Sequence, residues 1–282
     1  MNIFVTGANG QLGQTFRHLC HSYKNFTFYF KSKNEINIED LVSVENFVIK
    51  KHINLIINCA AFNNVECNDL DRSNLVNHIA VSNLASICKR FNIKLVHFSS
   101  DYIFDGLKKS PYKETSIPNP INNYGISKLM GEKAILKICP SNFIIIRTSW
   151  VYSNISGDFV SKMLKKFNFQ EKVQVVSDQI GSPTYTYDLA EFVLLIIPKL
   201  DNIKYNIYNF TNKGECSWFD FAKEILNLSN NTNSITAVKT SFFNSTTLRP
   251  KYSKLCTSRV EKEFNFNIPF WYDSLRNCLN NS

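Results

Sequence analysis

The chain predicts an α/β fold, a Rossmann-type doubly wound parallel sheet with a smaller C-terminal substrate-binding lobe. Three observations carry that expectation. Short apolar runs alternate with amphipathic stretches, the rhythm of a helix-covered parallel sheet. A glycine turn, Gly7-Ala8-Asn9-Gly10-Gln11-Leu12-Gly13, follows the first run at once. Tyr124 and Lys128 stand four residues apart on a predicted helix, behind a strand that ends in Ser99-Ser100-Asp101.

In chain order, the predicted strands are 2–6, 26–30, 54–58, 94–98 and 143–147, and the helices lie near 11–22, 40–51, 73–91 and 124–137. After Trp150 the rhythm changes. A helix over 156–169, a strand over 173–176 and a turn at Gly181-Ser182-Pro183-Thr184 lead to a helix at about 185–198. A strand near 205–210, a helix near 217–228 and an irregular, asparagine-rich tail complete the reading. Residues 1–150 are thus expected to form the nucleotide-binding domain. Residues 151–282 form mainly the substrate lobe, with a stretch near 183–210 returning to the first domain.

Strand, glycine turn, then helix is the context that a dinucleotide site demands. Gly7 allows the tight turn, Gly10 lets the backbone approach a pyrophosphate, and Gly13 permits close packing of helix on strand, with the phosphates at the helix N-terminus. Tyr124 and Lys128, one helical turn apart, share a face. A nearby cation favours the ionised form of a phenol, whose ordinary pKa is about 10, so the pair suits proton transfer to a carbonyl that is being reduced.

Composition narrows the class further. The chain has 282 residues, enough for a sizeable core, and no apolar stretch of membrane-spanning length. With a first strand at residue 2 there is no room for a signal peptide, so a cytoplasmic location is expected. Eight cysteines lack metal-ligand spacing. Cys20, Cys59, Cys88, Cys139 and the others read as reduced thiols, and no metal site is expected. The Asn154-Ile155-Ser156 and Asn227-Leu228-Ser229 matches then reflect asparagine content. A formal charge of +9 is spread as lysine pairs such as Lys50-Lys51 and Lys165-Lys166, with no basic run of five, so a solvated surface explains it better than a nucleic-acid partner. It also favours anionic substrates such as nucleotide sugars. At the end of the second strand, Lys31-Ser32-Lys33 precedes Glu35; basic residues there suit a 2′-phosphate, so NADPH is favoured over NADH.

Taken together, the pieces resemble the dTDP-4-dehydrorhamnose reductase family of extended short-chain dehydrogenases/reductases, nearly from end to end. They are Val5 to Gly13, Asn58-Cys59-Ala60-Ala61, His97 to Gly106, Pro111 to Thr115, Asn123 to Glu132, Arg147-Thr148-Ser149-Trp150-Val151-Tyr152 and Asp178 to Thr184. The resemblance implies NAD(P)H-dependent reduction of the 4-keto group of dTDP-4-dehydro-L-rhamnose, for surface polysaccharide. It further implies Tyr124 as proton donor, Lys128 as the residue that lowers the phenol and holds the nicotinamide ribose, and Ser100, where the family more often has Thr, aligning the carbonyl. Asp101 and Trp150 match sugar-contacting positions, and Arg249 matches a position that meets the diphosphate. Gly10, Gln11 and Leu12 match the pyrophosphate turn, Asn37 and Ile38 the stretch beside the adenine, and Ala61, Phe62 and Asn63 the loop passing the cofactor. Departures fall at Asn63, Glu66-Cys67 and Asp69, where the family often reads Thr, Asp-Lys and Glu. A 4,6-dehydratase is disfavoured because Asp101 is followed by Tyr102 rather than Glu. Reductases or epimerase-reductases of other 4-keto nucleotide sugars, and an NADP-binding regulatory subunit like methionine adenosyltransferase β, stay open as alternatives. So does oligomeric state, a homodimer included.

Overall fold

Five short runs set the architecture, four of them almost wholly buried and the second, an edge strand, only partly so. They are β1 (Asn2–Thr6), β2 (Thr27–Lys31), β3 (Leu55–Asn58), β4 (Lys94–Ser100) and β5 (Phe143–Thr148). In a computed structural model that describes residues 1–66, 69–138, 142–155, 157–169, 172–229, 231 and 233–280, these runs pair in parallel. Between them lie α1 (Gln11–Leu19), α2 (Leu41–Lys50), α3 (Leu70–Asn74), α4 (Ala80–Phe91) and α5 (Asn123–Ile138). Cys67, Cys139 and Ser156 lie outside the described residues.

The second half contributes β6 (Val151–Tyr152), α6 (Phe159–Phe169), β7 (Lys172–Val176), β8 (Ile180–Gly181), β9 (Thr184–Tyr185), α7 (Thr186–Ile196) and β10 (Ile207–Asn209). Then come β11 (Cys216–Ser217), α8 (Trp218–Leu228), β12 (Ser234–Val238), α9 (Ser258–Phe264) and α10 (Trp271–Asn280). The last three correct the expectation of an irregular tail. Strand β12 is held by parallel pairing to β7 rather than by its own burial, and α10 lays Leu275 and Cys278 into the C-terminal core.

The main sheet runs β10-β5-β4-β3-β1-β2. Its inner strands are buried on both faces, so both sets of alternating side chains are mainly apolar, while the edge strand β2 is only partly buried. Ile3, Val5, Leu55, Ile57, Val96, Phe98, Ile144 and Ile146 face α1 and α7 in one core cluster. Phe4, Ile56, Leu95, Phe143 and Ile145 face the other layer, with Val44 and Val48 of α2 and Leu84 and Ile135 of α4 and α5. Because β2 lies on one side of β1 and β3 on the other, the order reverses between them and opens a crevice at the carboxyl ends of the strands, the place where doubly wound folds bind ligands. Strand β10 extends the sheet from far along the chain, and α7 packs on α1. The predicted helix 73–91 is present and begins at Leu70, with α3 passing into α4 through a π turn at Leu75–Ile79, a device frequent at functional sites. A separate core of Tyr152, Val160, Met163, Phe167, Val173, Phe221 and Ile225 organises the C-terminal lobe.

Candidate active site

A cleft of 730 Å³ lies at the carboxyl ends of β1, β3 and β4, within the range of about 300–1,000 Å³ usual for small-molecule sites. One end is built from backbone. Gly7 has φ +61°, and a Cβ there would come within 2.7 Å of the Ala60 backbone. The Gly10 N–H turns back to the Gly7 carbonyl at 2.9 Å, and Gly10 caps α1 with no side chain. The first N–H groups of α1 therefore lack intrahelical partners, as an anion site requires. Gly7, Gly10, Gln11 and Leu12 line the cleft. Gly13 instead packs beneath the turn, where a Cβ would stand 2.5 Å from the Gly7 carbonyl oxygen.

Asn37, Ile38, Ala61, Phe62 and Asn63 line the same end. Beside them Glu39 forms a bidentate pair with Arg72 at 2.7 and 2.9 Å and meets Lys33 at 3.4 Å. Ser32 is committed to Glu35, whose carboxylate accepts from its N–H at 2.9 Å and its hydroxyl at 2.8 Å and also pairs with Lys31. These hydrogen bonds hold the Glu35 carboxyl down at about 2. Lys33 and Arg72 are the cations lining this end. Glycine turn, a helix terminus without a side-chain cap, apolar slot and cations fit a dinucleotide phosphate ester.

The other end is built from side chains. Strand β4 delivers Ser100, whose hydroxyl donates to the Asp101 carboxylate at 3.0 Å and accepts from the Tyr102 N–H at 3.2 Å. Helix α5 delivers Tyr124 and Lys128, and it is seated by a buried bidentate pair in which Arg147 of β5 donates to Glu132 at 2.9 and 2.7 Å. Burial raises the Tyr124 phenol above its ordinary value, and a hydrogen bond with Ser100 opposes the rise. The Lys128 ammonium donates to the Phe98 carbonyl at 2.6 Å. Burial lowers it to about 8, against the pull of Glu132. The expected lowering of the phenol by Lys128 does not operate here, since desolvation dominates and the ammonium is turned to the Phe98 carbonyl of the strand. Burial also raises the Asp101 carboxyl to about 6, opposed by Ser253, Ser100 and backbone N–H groups.

Trp150 adopts φ +47°, a left-handed conformation costly for a bulky residue. Its indole stacks on Trp218 with centroids 3.6 Å apart and planes 9° from parallel, and Gly181 packs so close that a Cβ would fall 2.6 Å from the ring. Both indoles line the cleft. Arg249 reaches the same region from the C-terminal half; it donates to the Tyr102 hydroxyl at 2.9 Å and pairs with Glu66. The Tyr102 ring meets Tyr124 edge-on at 5.6 Å. Ser100, Asp101, Tyr124, Lys128, Trp150 and Arg249 all line the one cleft that holds the glycine turn.

A family model described as the RmlD substrate binding domain matches residues 1–282. The chain belongs to the RmlD substrate binding domain family. Spore coat polysaccharide biosynthesis protein SpsK of Bacillus subtilis (strain 168) is 37% identical over 98% of this chain and 96% of its own length. A dTDP-4-dehydrorhamnose reductase of Aggregatibacter actinomycetemcomitans is 33% identical over 98% of this chain and 97% of its own. The crystal structure of Bacillus anthracis dTDP-4-dehydrorhamnose reductase in complex with NADP superposes with a TM-score of 0.94 at 32% identity, covering 100% of this chain and 99% of that one.

Besides Arg72 and Glu39 at the nucleotide end, two residues of this RmlD-family site escape the sequence reading. Asn77, in the π turn, grips Phe62 by its N–H at 2.9 Å and its carbonyl at 2.8 Å, and donates to the Ser127 hydroxyl at 3.0 Å. It joins the loop after β3 to α5. A lone asparagine within the apolar stripe of Val76, Ala80, Val81 and Leu84 is the signal that marks it. Trp218 is the second, and its only local mark is the Ser217 capping box that starts α8. Among the described residues, no cluster of His, Cys, Asp and Glu is arranged to hold a metal, and no helix is long and apolar enough to cross a membrane.

Proposed function

We propose that this protein reduces the 4-keto group of dTDP-4-dehydro-L-rhamnose to dTDP-L-rhamnose, with NADPH as the favoured donor and NADH as the alternative, in the cytoplasm, for surface polysaccharide. The carrying observation is the meeting of Ser100, Tyr124 and Lys128 in one cleft with the glycine turn. Residues 1–150 and the stretch near 183–210 would hold the coenzyme, the remainder mainly the sugar. Lys33 and Arg72 suit the 2′-phosphate, and the α1 N-terminus the pyrophosphate.

NADPH, when bound along the glycine turn and beside Lys128, would supply the hydride for the sugar ketone. As the C4 oxygen gains negative charge, Tyr124 gives it the phenolic proton and the product leaves as an alcohol instead of an alkoxide. A phenol raised by burial is fully protonated at neutral pH, the state a donor needs. The Ser100 hydroxyl, turning its one proton from the Asp101 carboxylate, would donate to the same oxygen and align it. Lys128 holds the nicotinamide ribose and offers a cation to the tyrosinate left behind. Asp101 accepts from sugar hydroxyls. Trp150, braced by Trp218, bounds the sugar with an apolar edge, and Arg249 meets the diphosphate.

A panel of 4-keto nucleotide sugars, followed by loss of reduced-nicotinamide absorbance, tests the reading. Turnover should be fastest with dTDP-4-dehydro-L-rhamnose. Tight NADPH binding with no oxidation by any member of the panel would replace it with a coenzyme-binding regulatory role.

A further inference from the structure

Four cations line the cleft among the described residues, and three are already engaged away from the sugar. Lys33 and Arg72 share Glu39 at the nucleotide end, and Lys128 is bonded to the Phe98 carbonyl. Arg249 is the fourth. Its side chain is a quarter exposed, and its guanidinium is held from two sides, by the Tyr102 hydroxyl and by Glu66, a carboxylate on the loop after β3. The other oxygen of Glu66 accepts from the Ser245 hydroxyl at 3.0 Å, so one side chain ties that loop to the segment carrying Arg249. Glu66 is itself 54% exposed.

We propose that Glu66 is a built-in competitor for the substrate's diphosphate, occupying Arg249 until the nucleotide sugar displaces it and so setting substrate affinity. The inference rests on the reading of Arg249 as the diphosphate contact. An exposed carboxylate on arginine is a weak, water-screened pair, whereas a diphosphate brings more charge and can engage the guanidinium fork with two acceptors. The exchange leaves the Tyr102 hydrogen bond intact, so the guanidinium stays aimed at the cleft. Because Tyr102 packs edge-on against Tyr124, the released arginine lies on the reactive side of the cleft rather than at the glycine turn. After turnover the same carboxylate can retake Arg249 and hasten product release.

Calorimetric titration of the NADP-saturated protein with dTDP, and with thymidine as a probe lacking the diphosphate, separates the possibilities. Glu66→Gln should tighten dTDP about three- to fivefold, leave thymidine unchanged, and leave NADP affinity unchanged. Arg249→Gln should weaken dTDP by at least about tenfold, and in that background Glu66→Gln should produce no further tightening. If Arg249→Gln weakens dTDP while Glu66→Gln leaves it unchanged or weaker, the competitor role is overturned and the diphosphate contact stands. If Arg249→Gln has no effect on dTDP, the diphosphate contact falls, and the competitor role with it.

Discussion

The two ends of the cleft solve recognition in opposite ways. At the glycine end the working groups are main-chain N–H donors at the start of α1, and their placement depends on what is missing, a Cβ at Gly7 and Gly13. At the reactive end the working groups are side chains taken out of water, and burial moves the ionisation of Tyr124, Lys128 and Asp101 together. The contrast teaches that damage at the first end should appear in binding and folding, and damage at the second in turnover and pH response.

The sharpest test of that division is Tyr124→Phe. Removing the proton donor should lower kcat by about 10²–10⁴-fold while the dissociation constant for NADPH, read by fluorescence titration, stays nearly unchanged. A large loss of coenzyme affinity instead would mean that the phenol serves both ends. Next in size is Gly7→Ala, which places a Cβ against the Ala60 backbone in a left-handed conformation. It should cost about 1–3 kcal/mol of stability in chemical denaturation and weaken NADPH binding, with kcat at saturating coenzyme largely kept. A fall in kcat alone would break the comparison. The smallest effect is the pH profile of kcat/KM for the sugar. As pH falls through about 6, Asp101 takes up a proton and loses its charge as an acceptor; as pH rises through about 8, Lys128 loses its proton and its charge. The rate constant should therefore fall on both sides of that window, by no more than about tenfold per pH unit. A flat profile across it would show that neither group titrates in the free enzyme.

Legibility follows the same divide between local and distant causes. Strands β1, β3, β4 and β5 are apolar runs that need only their own residues to be recognised, and the glycine turn and the Tyr124/Lys128 spacing are local patterns too. Strand β12 is not legible in this way. Its side chains are partly or wholly exposed, and it exists because β7 lies alongside it. The short α9 and the amphipathic α10 are hidden by an asparagine-rich stretch whose helices are stabilised by docking rather than by propensity. In the site, Trp218 is 68 residues from Trp150 and Asn77 is 50 from Ser127. Nothing local announces either meeting. The pairing of Glu66 with Arg249 is of the same kind.

The π turn at 75–79 carries a last consequence. One surplus residue in a helix advances its rotational phase by about 100°, so α3 and α4 present different sides to α5 than a regular helix of the same length would. Deleting a single residue there would restore the ordinary winding and swing Asn77 off both the Phe62 backbone and the Ser127 hydroxyl, shifting the rim of the cleft together with the helix that carries Tyr124 and Lys128. Length variation at this one point thus couples what the pocket admits to how it reacts.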